Sequence, residues 1–300
     1  MLEKLYFWKG GGSGVSLTLR ILLALLIVIL LVCGGGAAYW YYYIKVPADE
    51  AHVRQQQAAD QLKADINAVK NWYEKALEGG SIDFGITLLD ELHRAYLPLR
   101  RLNIRMKSAS YSCTLKMCQT TIMLDTGVIV TQPEIEFFGK KYQASFPLKK
   151  GKGNSGKNAE LLYGDMKVES SKNKLLDNYK KGKELSLYAC NDIVSYIESY
   201  NSVLSENKWN NTGGVIVYKK LPSSSVSDKA RKLAGQVKSY DMLSAEWSME
   251  INSDNRWDGK NEISAQIALY KQAYREAFLI RKIETIKNGI KVSGGFVCKA

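Results

Sequence analysis

The sequence predicts a single transmembrane helix plus a juxtamembrane coiled-coil helix, followed by an α+β region. Three observations carry that class. Residues 21–44 run for 24 positions without a charge, and at ~1.5 Å per residue such a helix crosses a ~30 Å hydrocarbon core. Residues 48–78 are polar, with apolar positions at coiled-coil spacing. Beyond them, segments alternating with strand period are interleaved with apolar stripes of helical period.

Residues 1–20 form a short basic tail with Lys4, Lys9 and Arg20. The span opens ILLALLIVILLVCGGG and closes AAYWYYYI. Tyr39, Trp40, Tyr41, Tyr42 and Tyr43 at its end, and Phe7 and Trp8 before it, are the residues that anchor a helix at membrane interfaces. The small residues Gly34 to Ala38 admit a second reading, a cleaved export signal. Signal cores are only ~7–15 residues long, so the expectation is an uncleaved anchor. Cys33 follows Val32, where a lipoprotein site wants a small residue, and reads as an apolar filler.

Flanking charge does not orient the span, because Lys4, Lys9 and Arg20 are balanced by Lys45, Arg54 and Lys63. Cysteine usage does. Cys33 lies in the span, and the even set Cys113, Cys118, Cys190 and Cys298 lies beyond it, which suits two disulfides outside the cytoplasm. The 113/118 spacing suits a hairpin closed by its own bridge, leaving Cys190 with Cys298. Four cysteines allow three pairings, and four unpaired buried thiols are the alternative. The spacings match neither a zinc framework nor a thioredoxin motif.

The net charge is +12, of which +10 falls after residue 44. Residues 149–183 hold ten lysines against four carboxylates and no arginine. A nucleic-acid surface would use arginine and aromatic residues, so a solvated loop is expected, with an acidic partner or anionic lipid headgroups as the functional alternative.

In the stalk, residues 48–78, Leu62, Ile66, Val69, Tyr73 and Ala76 are spaced 4, 3, 4, 3, an a/d seam of about two heptads. A pairing interface with a similar or identical chain is expected. The alternative is an amphipathic helix lying on its own domain. Gly79 and Gly80 end it.

A first α/β unit is expected over 81–185. It starts with a short helix facing inward through Ile86, Leu89, Leu92 and Tyr96 and halted by Pro98, with His93 at its surface or boundary. Strand signals come next at Leu102, Ile104 and Met106, at QTTIML, at Tyr142, Ala144, Phe146 and Leu148, and at LLYGDMKV. A second unit is expected over 186–300. Its helices carry the faces Cys190, Ile193, Ile197, Tyr200, Leu204, then Val226, Ala230, Leu233, Val237, Tyr240, then Ile263, Ile267, Tyr270, Tyr274, Ala277. Its strands are VIVY, the alternating run Leu243 to Ile251, and a closing strand after Asn288-Gly289. Helices on one face of a sheet are the expected packing.

Chemistry is sparse. Residues 151–158 fit the spacing of a phosphate-binding loop until Asn158, which replaces the Ser or Thr that would hold magnesium. The next residues, AELLYGDMKV, have a strand pattern where a phosphate-binding loop would lead into a helix, which argues against nucleotide binding. With two histidines, His52 and His93, a histidine triad or metal site is nearly excluded. Glu134 and Glu136 alternate with Ile135 and Phe137 and read as the wet face of a strand. Trp257, beside Asp254, Asn255 and Asp258, is a candidate exposed aromatic. No catalytic, cofactor or metal residue is expected, and no small-molecule substrate.

The order of tail, span, seam and extracytoplasmic α/β region resembles the bitopic inner-membrane assembly proteins of type IV pili, the PilN/PilO kind, and their type II secretion counterparts. The residues that carry the resemblance are the span 21–44, the seam Leu62 to Ala76, the segment ITLLDELHRAYLPLRRLNIRM and the closing VSGGFVCKA; the cysteines suit the type IVb or conjugative version. The resemblance implies ferredoxin-like units in a periplasmic region, an inner-membrane location with the N-terminus in the cytoplasm, and pairing with similar bitopic proteins and other machine components. It implies a structural scaffold, not an enzyme. About 250 residues after the span exceed one ferredoxin-like unit, so a second or elaborated one is required. A membrane-anchored sensor or ligand-binding protein is the alternative function, with an anchored cell-wall enzyme behind it.

Overall fold

The computed structural model describes residues 17–300 except 102–105, 126, 129–133, 147–159, 170–171, 207–213, 223–225, 234, 253–259 and 288. The chain divides into two compact units, Met1–Asp65 and Ile66–Ala300.

In the first unit α1 (Leu17–Trp40) passes through a π-helical turn, Tyr41–Lys45, into α2 (Val46–Leu77), whose last turns belong to the second unit. The helix beginning at Ile21 is long and apolar enough to cross a membrane, and none of its apolar window is buried. Leu, Ile and Val side chains from Ile21 to Val32 stand exposed. Such a surface is compatible with a single membrane span or a signal anchor. The π turn falls on the aromatic cluster, where Tyr39 and Tyr43 stack with centroids 4.9 Å apart.

The second unit is built on nine strands among the described residues: β1 (Met106–Thr114), β2 (Met117–Leu124), β3 (Glu134–Phe137), β4 (Lys140–Gln143), β5 (Glu160–Lys167), β6 (Val215–Tyr218), β7 (Met242–Asn252), β8 (Phe278–Ile286) and β9 (Gly289–Lys299). Seven of them form one sheet in the order β5-β2-β1-β8-β9-β7-β6, and β3 and β4 form a separate hairpin. Every pairing is antiparallel. Its helices are α3 (Ile82–Arg101), α4 (Lys174–Lys180), α5 (Cys190–Glu206), α6 (Val226–Lys232) and α7 (Lys260–Tyr270).

The expected division at 185/186 is not a division of the sheet. β1 pairs with β8, Cys113 opposite Ile283, so the two expected units share one sheet and one body. A strand left without a neighbour exposes a row of unpaired backbone groups, and this pairing removes that cost for both halves at once.

Helices cover both faces, not one. Alternation in β8 and β9 assigns the sides: Phe278, Ile280, Phe296 and Cys298 join the core under α3, α5 and α7, whereas Leu279 and Val297 join a second core with Tyr73, Leu77, Leu175 and Ala230 from α2, α4 and α6. We call these the front and the back. On the front, α3 approaches β8 closely enough that a Cβ at Gly85 would meet the end of the Ile280 side chain, which would have to shift to admit it.

Three helices depart from expectation. α3 continues through Pro98 to Arg101; the lost bond belongs to the carbonyl of Arg94, an exposed residue where water can replace the donor. α6 ends at Lys232 instead of running to Tyr240, because Gly235 takes a left-handed φ of 86°; Leu233, Val237 and Tyr240 still pack on the back core from irregular chain. α7 is turned over. It buries Glu262, Ala265, Ala268 and Leu269, and exposes Ile263, Ile267 and Tyr270, the stripe expected to face inward. The lysine-rich tract, expected as loop, contains α4, which buries Leu175.

Each sheet edge is covered at one point. Along β5, Ser145 exchanges backbone bonds of 2.8 and 2.9 Å with Leu162. At β6, the Asn201 side chain of α5 accepts from Ile216 N at 2.9 Å and donates to Ile216 O at 2.8 Å. A side-chain amide stands there in place of a neighbouring strand.

Candidate functional site

The expected seam is used within the chain. Val69, Tyr73 and Ala76 are 2%, 0% and 6% exposed, packed with Leu175, Ala230, Met242, Leu279 and Val297. That is the second of the two packings the sequence allows for this helix. Apolar residues at helical spacing serve a domain's own core as well as a partner's, and here three of the five do the former; Leu62 and Ile66 remain half-buried. The end of α2 is sealed by the domain. Arg281 donates from Nε to Glu78 O and from Nη2 to Lys75 O, both at 2.8 Å, and Asn173 Nδ2 reaches Leu77 O and Gly79 O at 2.7 Å. These donors meet carbonyls that a helix end leaves without partners. Tyr73 sits among Trp72, Tyr179 and Tyr240 at centroid distances of 5.2–5.6 Å and shares a hydrogen bond with Ser227 Oγ.

The structure carries two disulfides, Cys113–Cys118 and Cys190–Cys298. The first joins residues paired across the β1–β2 turn. The second ties the first residue of α5 to β9 across a separation of 108 residues. Cys33 is free and exposed on α1.

A polar cluster that the sequence did not signal lies inside the front core. Arg100 of α3 meets Glu262 of α7 at 3.3 Å, with side-chain exposures of 9% and 4%; Arg100 Nη1 also lies 3.2 Å from His93 Nδ1. Tyr96 is hydrogen-bonded to Thr120. The Tyr111 and Tyr163 hydroxyls and Glu262 Oε2 are buried without partners. Burial first, and the Glu262 charge second, push the Tyr111 hydroxyl well above its ordinary range. Burial alone pushes Tyr163 up to about 12, and burial, opposed by the Thr120 bond, raises Tyr96. These phenols are neutral hydrogen-bonding groups at any physiological pH. Each side chain reads as an ordinary core or surface residue alone; only the packing of α3 on α7 brings the charges together. The pair is closed to solvent, and its geometry is that of a clamp between two helices.

Chain similarity adds no family. No family model, no curated protein and no solved structure matches this chain.

Glu134 and Glu136 are exposed while Ile135 and Phe137 are buried, the pattern of a wet strand face. The loop 151–158 and the aromatic candidate Trp257 lie outside the described residues. No group of three or more His, Cys, Asp or Glu side chains able to hold a metal occurs among the described residues. The exposed stripe of Ile263, Ile267 and Tyr270 on α7 is the most prominent apolar feature of the second unit's helices. Its spacing of four and three residues was legible in sequence, but the direction it faces was not.

Proposed function

We propose that this chain is a scaffold of the inner-membrane platform of a type IV pilus or related secretion machine. In that reading α1 spans the bacterial inner membrane with the N-terminus in the cytoplasm, the α+β unit stands in the periplasm, and similar bitopic proteins and other machine components are its partners. The observation that carries the proposal is connectivity behind a helix long and apolar enough to cross a membrane. β7 and β8 flank β9 and are joined through α7, and α5 leads into β6 beside β7. Strands β6-β7-β9-β8 with two helices on one side support an elaborated, reordered ferredoxin-like unit, to which β1, β2 and β5 add.

The disulfides favour an oxidising compartment. Pairing in this reading uses the exposed length of α2 around Leu62 and the α7 stripe, since Val69, Tyr73 and Ala76 are already occupied. The test is extraction of the full chain in mild detergent with photo-crosslinkers placed at Leu62 and Ile267. Crosslinks to a second bitopic protein within an envelope-spanning complex are expected. A chain that purifies as a monomer and crosslinks to nothing sinks the proposal.

A further inference from the structure

On the front, beside the Cys190–Cys298 bridge, a shallow, solvent-open cleft of about 620 Å³ lies between α5 and the connection from α7 to β8. Its walls are Tyr188, Asp192, Ser195, Tyr196, Ser199 and Tyr274. Asp192, Ser195, Tyr196 and Ser199 stand three and four residues apart, one ridge of a helix with neighbouring side chains ~5–6 Å apart. Tyr274 forms the opposite wall, its ring 4.9 Å from Tyr188 and 5.6 Å from Tyr196, both near edge-on.

The two walls are fixed to each other. Tyr196 Oη donates to Gln272 Oε1 at 3.0 Å and accepts from Ala273 N at 3.1 Å, and Gln272 Nε2 donates to Ala268 O at 3.1 Å. At the base, the bridge holds Cys190 between Tyr188 and Asp192, and Lys299 N donates to Tyr188 O at 2.7 Å. Tyr274 takes a left-handed φ of 53°. A bulky aromatic residue in that region is strained and persists only where its surroundings hold it. A rigid cleft wall is gained by it.

The polar groups of the cleft are not used internally. Among the described residues the Asp192 carboxylate and the Ser195, Ser199, Tyr188 and Tyr274 hydroxyls have no hydrogen-bond or ion-pair partner within the chain. The carboxylate is therefore open in a chain of net charge +12. A row of hydroxyls that both donate and accept, one acceptor carboxylate and flat apolar rings is the complement of a pyranose, which offers vicinal hydroxyls at its rim and C–H groups on its face. A lone ammonium has three donors and no acceptor, so beside the carboxylate it would engage at most two hydroxyls and leave every hydroxyl's donor function unmatched. We propose that this cleft binds an oligosaccharide of pyranose rings, with Tyr188 and Tyr274 as stacking platforms and Asp192, Ser195 and Ser199 as hydrogen-bonding groups. The assignment is independent of the scaffold reading.

The test uses the full chain in lauryldimethylamine oxide micelles, whose headgroup carries no sugar. Saturation-transfer NMR and calorimetry are run with three probes: the β-1,4-linked N-acetylglucosamine tetramer, maltotetraose and tetralysine. Saturable binding of at least one saccharide is expected, and which one binds names the linkage and ring type. Asp192→Asn and Tyr274→Asn, the latter tolerant of the left-handed backbone, each weaken it about tenfold, the factor of ~1.4 kcal/mol. Ser110→Ala, outside the cleft, leaves it unchanged, and an unaltered thermal melt shows that each variant is folded. The proposal is overturned if neither saccharide binds, if binding survives both cleft variants, or if tetralysine alone binds in an Asp192-dependent way.

Discussion

The front of the sheet lies under three helices, while the back is covered only where α2, α4 and α6 cross β7, β8 and β9. Toward β1 and β2 the back is bare: Ser108, Ser110, Thr114 and Gln119 are exposed. Strand composition tracks cover. From Ser108 onward β1 alternates, with Tyr111 and Cys113 inward and Ser108 and Ser110 outward, as a strand wetted on one side must. β8 and β9 are covered on both sides and carry unbroken apolar runs, Phe278-Leu279-Ile280 and Phe296-Val297-Cys298, all at most 2% exposed. Cover also decides how each face is fastened. The front has a long-range disulfide and a buried ion pair; the back has the aromatic cluster around Tyr73 and the hydrogen bonds of Arg281 and Asn173 to the end of α2.

The contrast predicts a ranking. Replacing Cys190 and Cys298 together with alanine frees a loop of 108 residues, which loop-closure entropy values at about 5 kcal/mol; denaturant unfolding of the oxidised chain should show that loss, against about 2 kcal/mol for the Cys113/Cys118 pair. Tyr73→Ala, on the back, removes a fully buried ring and is expected to cost about 4 kcal/mol, with protease cutting appearing first in the last turns of α2; an equal rise of cutting on the front would break the contrast.

Glu262→Ala removes the carboxylate that faces the buried Arg100 guanidinium and should cost about 3 kcal/mol. The double change Arg100→Met with Glu262→Leu should recover most of it, because two desolvated charges are exchanged for apolar packing. The smallest effect is in pH. Tyr163 is held at about 12 in the folded state against 10.0 otherwise. Its contribution is fully present below pH 10, and is lost as pH rises toward 12, because the unfolded chain ionises first. Stability should decline across that window, and Tyr163→Phe should flatten the decline; an unchanged alkaline limb would show that the phenol is not insulated.

The long apolar helix, the β1–β2 hairpin and the β7 strand are legible in sequence because each is a local pattern: an uncharged run, a cysteine at either side of a turn, an uninterrupted alternation. The face a helix turns inward is not local. Ile263, Ile267 and Tyr270 have the right period for a core stripe, yet alanines on the opposite side of α7 fit the narrow space left by α3, and packing outweighs pattern. The seam failed to identify its occupant for the same reason, since Val69 and Tyr73 suit any apolar surface. The cleft was invisible because Tyr188, Asp192 and Tyr274 come together only through the α5–β9 bridge and the left-handed turn at Tyr274.

β9 is the last strand in chain order and lies between β8 and β7. A chain still emerging from a ribosome or a translocation pore therefore holds two bare edges apart, with Cys190 waiting for Cys298. Until residues 289–299 are delivered, neither edge has its native neighbour, and a protein that captures strands or shields thiols has a defined interval in which to act.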